Sequence, residues 1–429
     1  MKFLLKGSVL LAISALLSKV ISFGRDRLIL DTFDPAAADL IFAAFRVPDF
    51  FFYLLVGATI SVIFIPRLVE LSEEDQQAYF SSFLWGVLTC FGLIWAMGVV
   101  FAPQLISLIF SGFENNLQIQ ITNLARYLFG SVFLLSLSSV FAATLQAREK
   151  FFTIALAPLL YVSVIVGALY VFRDQFGILI VGYGAIAGAI IHLVLTGGVS
   201  FFKGQKLSFS WQKPLSAWQN FWPDFGRRVF NNAAFQINQT VDLWIASFLL
   251  IGSVTSFTLG TTLGHFLLSV LGMAIANVAF PRLAKVKNQN LAQVKIMKQS
   301  TGHILLFAIP FSLLCAIMAE PILQLLFNLE GTRLAMTKTV FWWTVISLPF
   351  ACLIPLFSRF FLANDDTTTP MWINVISLTI ATTLAAILSL KILPSDQAIL
   401  GLALGNFTAN TLSCCLFALA IYKTINDRS

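Results

Sequence analysis

Twelve stretches of this chain are apolar over lengths that suit a lipid bilayer: residues 7–30, 36–66, 81–103, 122–146, 151–172, 177–202, 226–250, 254–281, 300–326, 338–362, 370–392 and 397–422. A helix rises 1.5 Å per residue, so about 20 residues cross a hydrocarbon layer about 30 Å thick, and each stretch reaches that length. In hydrocarbon the backbone finds hydrogen-bond partners only within the protein, which leaves helices as the means of crossing. Composition agrees: 58% hydrophobic residues, 11% charged residues and 43 Phe are too apolar a mixture for soluble domains of this length. The expected fold is an all-α polytopic membrane protein with about 12 transmembrane helices. Lys2 and Lys6 precede the first apolar run, but no small-x-small cleavage site follows before Arg25, so a retained first helix is expected rather than a signal peptide.

A net charge of +7 would suggest nucleic acid in a soluble chain. Here topology accounts for it. Threading the spans with the N-terminus inside puts 18 of the 27 Lys and Arg in cytoplasmic connections or tails, and only Arg126, Arg173, Arg333, Lys338 and Lys391 outside. The excess of basic residues in short inner loops places both termini in the cytoplasm and leaves no role for nucleic acid. The basic connection after span eight is expected to touch anionic lipid.

The chain also repeats itself. Asp26 in GRDRLIL corresponds to Asp242 in TVDLWIA, Pro66-Arg67-Leu68 to Pro281-Arg282-Leu283, Phe110 ending APQLISLIF to Phe327 ending EPILQLLF, and Leu145 to Leu362. Four matches in order at nearly one offset indicate a duplicated six-span unit. Six is even, so both copies have the same topology, and the expectation is two pseudo-equivalent six-helix lobes around a central cavity. The lobes would be residues 1–202 and 226–429. The polar stretch 203–225, with Trp211, Trp218 and Trp222, reads as an amphipathic cytoplasmic linker at the interface.

Charges inside the first two spans narrow the function. Lys19, Arg25, Asp26, Arg27, Asp39, Arg46 and Asp49 lie in or at the ends of apolar sequence. An ionisable group at the centre of a spanning helix costs about 2.5–3.5 kcal/mol on insertion scales, so such groups face a bundle interior or a wet cavity and pair there. Counting from Gly7 puts Lys19 roughly 18 Å from the inner edge, and counting from Ala36 puts Arg46 roughly 15 Å from the outer edge, so the two are expected to meet near the midplane. Arg25, Asp26 and Asp39 gather near the outer face, where opposite charges suit a gate. Asp49, one turn after Arg46, offers a simpler reading in which it only neutralises Arg46. Pro48 and Gly57 interrupt span two, as in the broken helices of transporters.

Asp242 is the second buried charge of interest, roughly 12 Å into span seven among Asn231, Asn238, Gln239 and Thr240. It either bonds a neighbouring Asn, takes a proton, or binds a cation. His265, His192 and His303 fit helix packing. The five cysteines, Cys90, Cys315, Cys352, Cys414 and Cys415, form no CxxC and read as small buried hydrophobes. A membrane enzyme would want a cluster of carboxylates or histidines in its loops, but Glu114, Asp174, Glu330 and Asp396 are scattered singly. No phosphate-cradling glycine loop appears, so ATP coupling is not expected.

The run S-K-V-x-x-F-x-R-D, then A-D-x-x-F-A-A-F-R-V-P-D and S-V-I-F-I-P-R-L, resembles the first two helices of the MurJ/MviN lipid II flippases of the MATE-like MOP superfamily. QINQTVDLWIASFLLIGSV at 236–254, LGMAIANVAFPRLAK at 271–285 and FLANDDTTTP at 361–370 are similar to later family segments, so the resemblance covers nearly the whole chain. It implies export of an undecaprenyl-pyrophosphate-linked saccharide from the inner to the outer leaflet of the bacterial inner membrane by alternating access, by a protein expected to act as a monomer without catalysing a reaction. Position by position, the resemblance implies that Lys19 stands at the place of a cavity cation and that Arg25 and Asp39 match cationic and acidic gate residues. Taken with the depths above, Lys19, Arg25 and Arg46 are expected to bind the pyrophosphate and Asp26 and Asp39 to gate the cavity. No cofactor is implied beyond a possible sodium ion on Asp242, with Asn374, Thr382 and Thr383 as oxygen donors.

The chain departs from the family at several points. Lys19 stands where the family has arginine, Phe52 replaces a second-helix arginine, and Thr261, Thr262 and His265 occupy the place of a charged cluster. Twelve spans are read against the family's usual fourteen. The alternative reading is another MOP-type transporter, either a polysaccharide-unit flippase or a cation-coupled multidrug exporter. Lys19, Arg25 and Arg46 weigh against an exporter of cations.

Overall fold

The computed structural model describes residues 2–55, 59–202, 226, 229, 233–287 and 289–426. The expected linker 203–225 with its tryptophans, Gly57 and Asn231 lie outside the described residues. The chain separates into two compact units, Met1–Gln236 and Ile237–Ser429. The first contains α1 (Lys2–Thr32), α2 (Pro35–Leu55), α3 (Thr59–Glu70), α4 (Glu73–Ile109), α5 (Asn115–Ala147), α6 (Phe151–Phe176) and α7 (Leu179–Phe202). Helix α8 (233–246) contains the division point. The second unit continues with α9 (Ser253–Leu268), α10 (Ala274–Lys285), α11 (Asn290–Ile317), α12 (Ala319–Phe327), α13 (Gly331–Ile346), α14 (Leu348–Ala363), α15 (Thr368–Ile387) and α16 (Ile399–Asn426).

Each of the twelve apolar stretches is helical over most of its described length, and no strand occurs among the described residues. Among the described residues, eight helical runs are long and apolar enough to cross a membrane, or nine if the bent pair α13 and α14 forms one span. The protein is thus an all-α, multi-span membrane protein.

The same pairings recur in each unit. In the first, α5 packs against α2, α3, α4 and α7, and α6 against α7. In the second, α13 and α14 together pack against α9, α10, α11 and α16, and α15 against α16. Leu68 and Leu283 are buried at matching helix ends, as are Phe110 and Phe327, and both Asp26 and Asp242 are inward. The duplicated sequence therefore encodes a duplicated packing scheme.

One more repeat emerges from the contacts. Gly184 and Gly188 of α7 lie against Ile165 and Tyr161 of α6. Gly401 and Gly405 of α16 lie against Ser389 and Ala385 at the end of the α15 run. Each pair is a G-x-x-x-G, and the two stand 217 residues apart, 184 to 401 and 188 to 405. Lipid tails supply little of the hydrophobic drive that joins helices in water. Close backbone approach over small residues therefore carries much of the association.

The helix breaks have identifiable causes. A π-helical segment, Ser269–Met273, separates α9 from α10, at the repeat position where α2 ends and α3 begins. The stretch 338–362 bends by 48° at Ser347, between α13 and α14. The sequence reading treats that stretch as one plain span, and Pro349 is the reason it bends. Proline has no N–H, so the carbonyl of Val345 loses its intrahelical donor. Ser312 of α11 supplies one instead, donating its hydroxyl to that carbonyl. In α4, Pro103 orphans Val99 in the same way, and Arg126 Nε of α5 donates to it at 3.2 Å. In hydrocarbon an unmet carbonyl is costly, so these side chains let the prolines stay.

Candidate functional site

In the first unit the charged residues of α1 and α2 collect in two groups. Arg25 and Asp26 are consecutive on α1, and the Arg25 side chain folds back to donate from Nε at 3.0 Å and from Nη2 at 2.7 Å to Asp26 Oδ1. Both hydrogen bonds are charge-assisted, which makes them stronger than neutral ones. Asp26 is only 4% exposed, a depth at which an unpaired carboxylate would be costly. Arg25 Cζ also sits 5.3 Å above the Phe45 ring, a cation–π contact that ties the guanidinium to α2. Lys19 lies two turns before Asp26 on α1, is exposed, and feels the charges of Asp26 and Arg25.

Arg46 belongs to the other group. It is buried on α2, and its Nη2 donates at 2.7 Å to the backbone carbonyl of Gln236, the last residue of the first unit, and at 3.1 Å to that residue's side-chain Oε1. Asp49 follows one turn later, half-buried, in the field of Arg46 and Arg25. Tyr53 and Tyr161 lie within the field of the same carboxylate, Tyr161 near Ser131 of α5, whose hydroxyl donates to the Leu128 carbonyl. The sequence-based estimate pairs Lys19 with Arg46. In the structure Lys19 keeps company with the Arg25–Asp26 pair, and Arg46 with Gln236 and Asp49. Depth along a helix axis places two residues at one level but leaves open the direction in which each side chain turns. Asp39 is 2% exposed near the start of α2.

Tyr53, Tyr161 and Ser131 were not singled out in the sequence. Tyr53 had a legible signal, since it sits four residues after Asp49 on the same helical face. Tyr161 and Ser131 had none, because only the packing of α5 and α6 brings them in.

In the second unit Asp242 of α8 is 9% exposed. Asn238, one turn before it, donates from Nδ2 to Asp242 Oδ2 at 3.0 Å, and Thr382 of α15 donates its hydroxyl to Asn238 Oδ1. Asn238 therefore links the carboxylate to α15. Of the other donors suggested for this place, the Thr383 hydroxyl bonds back to the Thr379 carbonyl and is exposed, and Asn374 is half-buried on α15. Among the described residues no three His, Cys, Asp or Glu side chains cluster as metal ligands. One carboxylate, one amide oxygen and one hydroxyl are a donor set suited to a hard monovalent cation rather than to a transition metal.

Comparison with known proteins shows what the chain is similar to. A protein of Borreliella burgdorferi named probable lipid II flippase MurJ is 24% identical over 384 residues, 86% of this chain and 74% of that protein. A Helicobacter pylori protein of the same name is 26% identical over 400 residues, 86% of this chain and 84% of that one. Among solved structures, a lipid II flippase MurJ in an inward closed conformation superposes with a TM-score of 0.80 at 21% identity, covering 98% of this chain and 90% of that one. An inward-facing multidrug resistance MATE family transporter of the MOP superfamily gives 0.78 at 14% identity, covering 98% of each chain. At such identities the structural likeness speaks to the fold. The family model described as lipid II flippase MurJ matches residues 33–427, nearly the whole chain, and the chain therefore belongs to the lipid II flippase MurJ family.

Proposed function

We propose that this protein carries lipid II, an undecaprenyl-pyrophosphate-linked saccharide, from the inner to the outer leaflet of a bacterial inner membrane by alternating access. The observation that carries the reading is the set of three basic side chains, Lys19, Arg25 and Arg46, on two helices of a bilayer-embedded unit. A pyrophosphate carries adjacent negative charges and needs cationic donors where water is scarce. Arg25 and Arg46 offer planar forks for phosphate oxygens, and Lys19 a point charge. In this reading Asp26 holds Arg25 in position, and Asp26 and Asp39 supply the acidic half of an outer gate. Both termini lie in the cytoplasm, by the distribution of Lys and Arg, and the protein acts as a monomer. Asp242, with Asn238 and with Asn374, Thr382 and Thr383 of α15, binds a sodium ion whose charge the carboxylate would balance.

Depleting the protein in its host and identifying the lipid-linked precursor that accumulates tests the substrate. Lipid II retained in the inner leaflet is the expected result. The replacement of a family arginine by Phe52 and of a charged cluster by Thr261, Thr262 and His265 favours, as the second reading, a flippase for a related lipid-linked polysaccharide unit. Accumulation of that lipid in place of lipid II would decide for it.

A further inference from the structure

Asp49 lies within the site, and the pyrophosphate reading gives it no task. It follows Arg46 by three residues on α2, a spacing that puts the two side chains on one face with Cβ atoms about 5–6 Å apart. Arg25 is held to the same helix by its contact with Phe45, one residue before Arg46. Asp26 is already committed to Arg25 through two hydrogen bonds. Asp49 is therefore an additional half-buried carboxylate in the field of two guanidinium groups, with Tyr53 and Tyr161 within reach of its charge.

We propose that Asp49 is an internal counter-ion that competes with the substrate's pyrophosphate for Arg25 and Arg46, and so sets how tightly the site holds an anionic head group. The proposal rests on the pyrophosphate reading above. In the empty site the carboxylate partly neutralises the two guanidinium groups. An arriving pyrophosphate displaces it, and its return helps to expel the product. A carrier must bind well enough to load and weakly enough to unload, and a built-in competitor adjusts that balance without removing a cation. One unit charge a helical turn away, in a medium of intermediate dielectric, is sufficient to change the affinity for a multiply charged anion about tenfold.

The test uses the full chain in lipid nanodiscs, with undecaprenyl pyrophosphate as the probe and tryptophan fluorescence as the readout of binding and release. Asp49→Asn is expected to bind about tenfold more tightly than the wild type and to release more slowly, while Asp49→Glu, which keeps the charge, stays near the wild type. Asp49→Ser repeats the removal of charge with a different shape, should the asparagine variant not accumulate. Equal or weaker binding by the neutral variants overturns the proposal and leaves the pyrophosphate site standing. A wild type that fails to bind the probe overturns the pyrophosphate reading itself, and this inference with it.

Discussion

Gly188→Ala is the substitution whose consequence follows most directly from the packing of α7 on α6. A Cβ at this position would lie 2.7 Å from the carbonyl oxygen of Tyr161 and 3.0 Å from Cδ2 of its ring. The oxygen belongs to the backbone of a continuous helix, so relief comes only by moving α6 and α7 apart by several tenths of an ångström. Overpacking of this kind costs about 1–3 kcal/mol, and for a unit of this size each kcal/mol lowers the unfolding midpoint by about 2–4 °C. Gly405→Ala, whose Cβ would meet Ala385 Cβ at 2.6 Å, is expected to behave alike in the second unit. Gly167 of α6 is the control. Nothing lies within 4 Å of its added Cβ, so Gly167→Ala gains only the helix preference of alanine, about 0.5–1 kcal/mol. Thermal unfolding of the three variants in one detergent separates the cases. If Gly188→Ala melts with the wild type, the claim that small residues set the α6–α7 distance is wrong.

Other expectations concern the sites. Arg46→Ala or Lys19→Ala should abolish lipid flipping in proteoliposomes while leaving the unfolding midpoint within a few degrees of the wild type, and normal flipping in both would remove the pyrophosphate site. Sodium should raise the unfolding temperature relative to potassium in the wild type but not in Asp242→Asn, and a shift retained in the variant would place any cation elsewhere. Asp366 caps α15, accepting from the backbone N–H of Thr368 at 2.9 Å and of Thr369 at 3.0 Å. Partial burial pushes its carboxyl upward in pKa, but hydrogen bonds from the Thr369 side chain and from the backbone of Thr369 and Thr368 outweigh that and hold it below the ordinary value. A depressed folded-state pKa means that the stabilisation is present above the ordinary value, about 3.9, and is lost as the pH falls through the folded one. Asp366→Ala should thus cost about 0.5–2 kcal/mol at pH 7 and converge with the wild type as the pH falls through the lowered folded-state value. A constant difference across that range would show that the charge is irrelevant to the cap.

The class of this protein, the places of its helices and its duplication were all legible in the sequence. Lipid imposes one strict rule, that the backbone be satisfied within each crossing segment, and that rule writes itself into apolar runs of countable length. The repeat of Asp26, Pro66, Phe110 and Leu145 at nearly one offset was visible for a similar reason, because equivalent helix positions keep equivalent residues. Side-chain direction was not legible. Nothing in the order of residues states that Arg25 folds back on its neighbour Asp26, that Arg46 reaches Gln236, or that Asn238 stands between Asp242 and Thr382. The glycine pairs at 184 and 188 and at 401 and 405 were present as letters, yet they acquired meaning only when α6 and α15 came to lie against them. The bend at Ser347 likewise needed Ser312, from another helix, to donate to the Val345 carbonyl, whose regular helical donor four residues on is lost at Pro349. Hydropathy and helical rise are properties of a segment, and the chain states them directly. Which groups meet is a property of pairs of segments, and only the packed structure decides it.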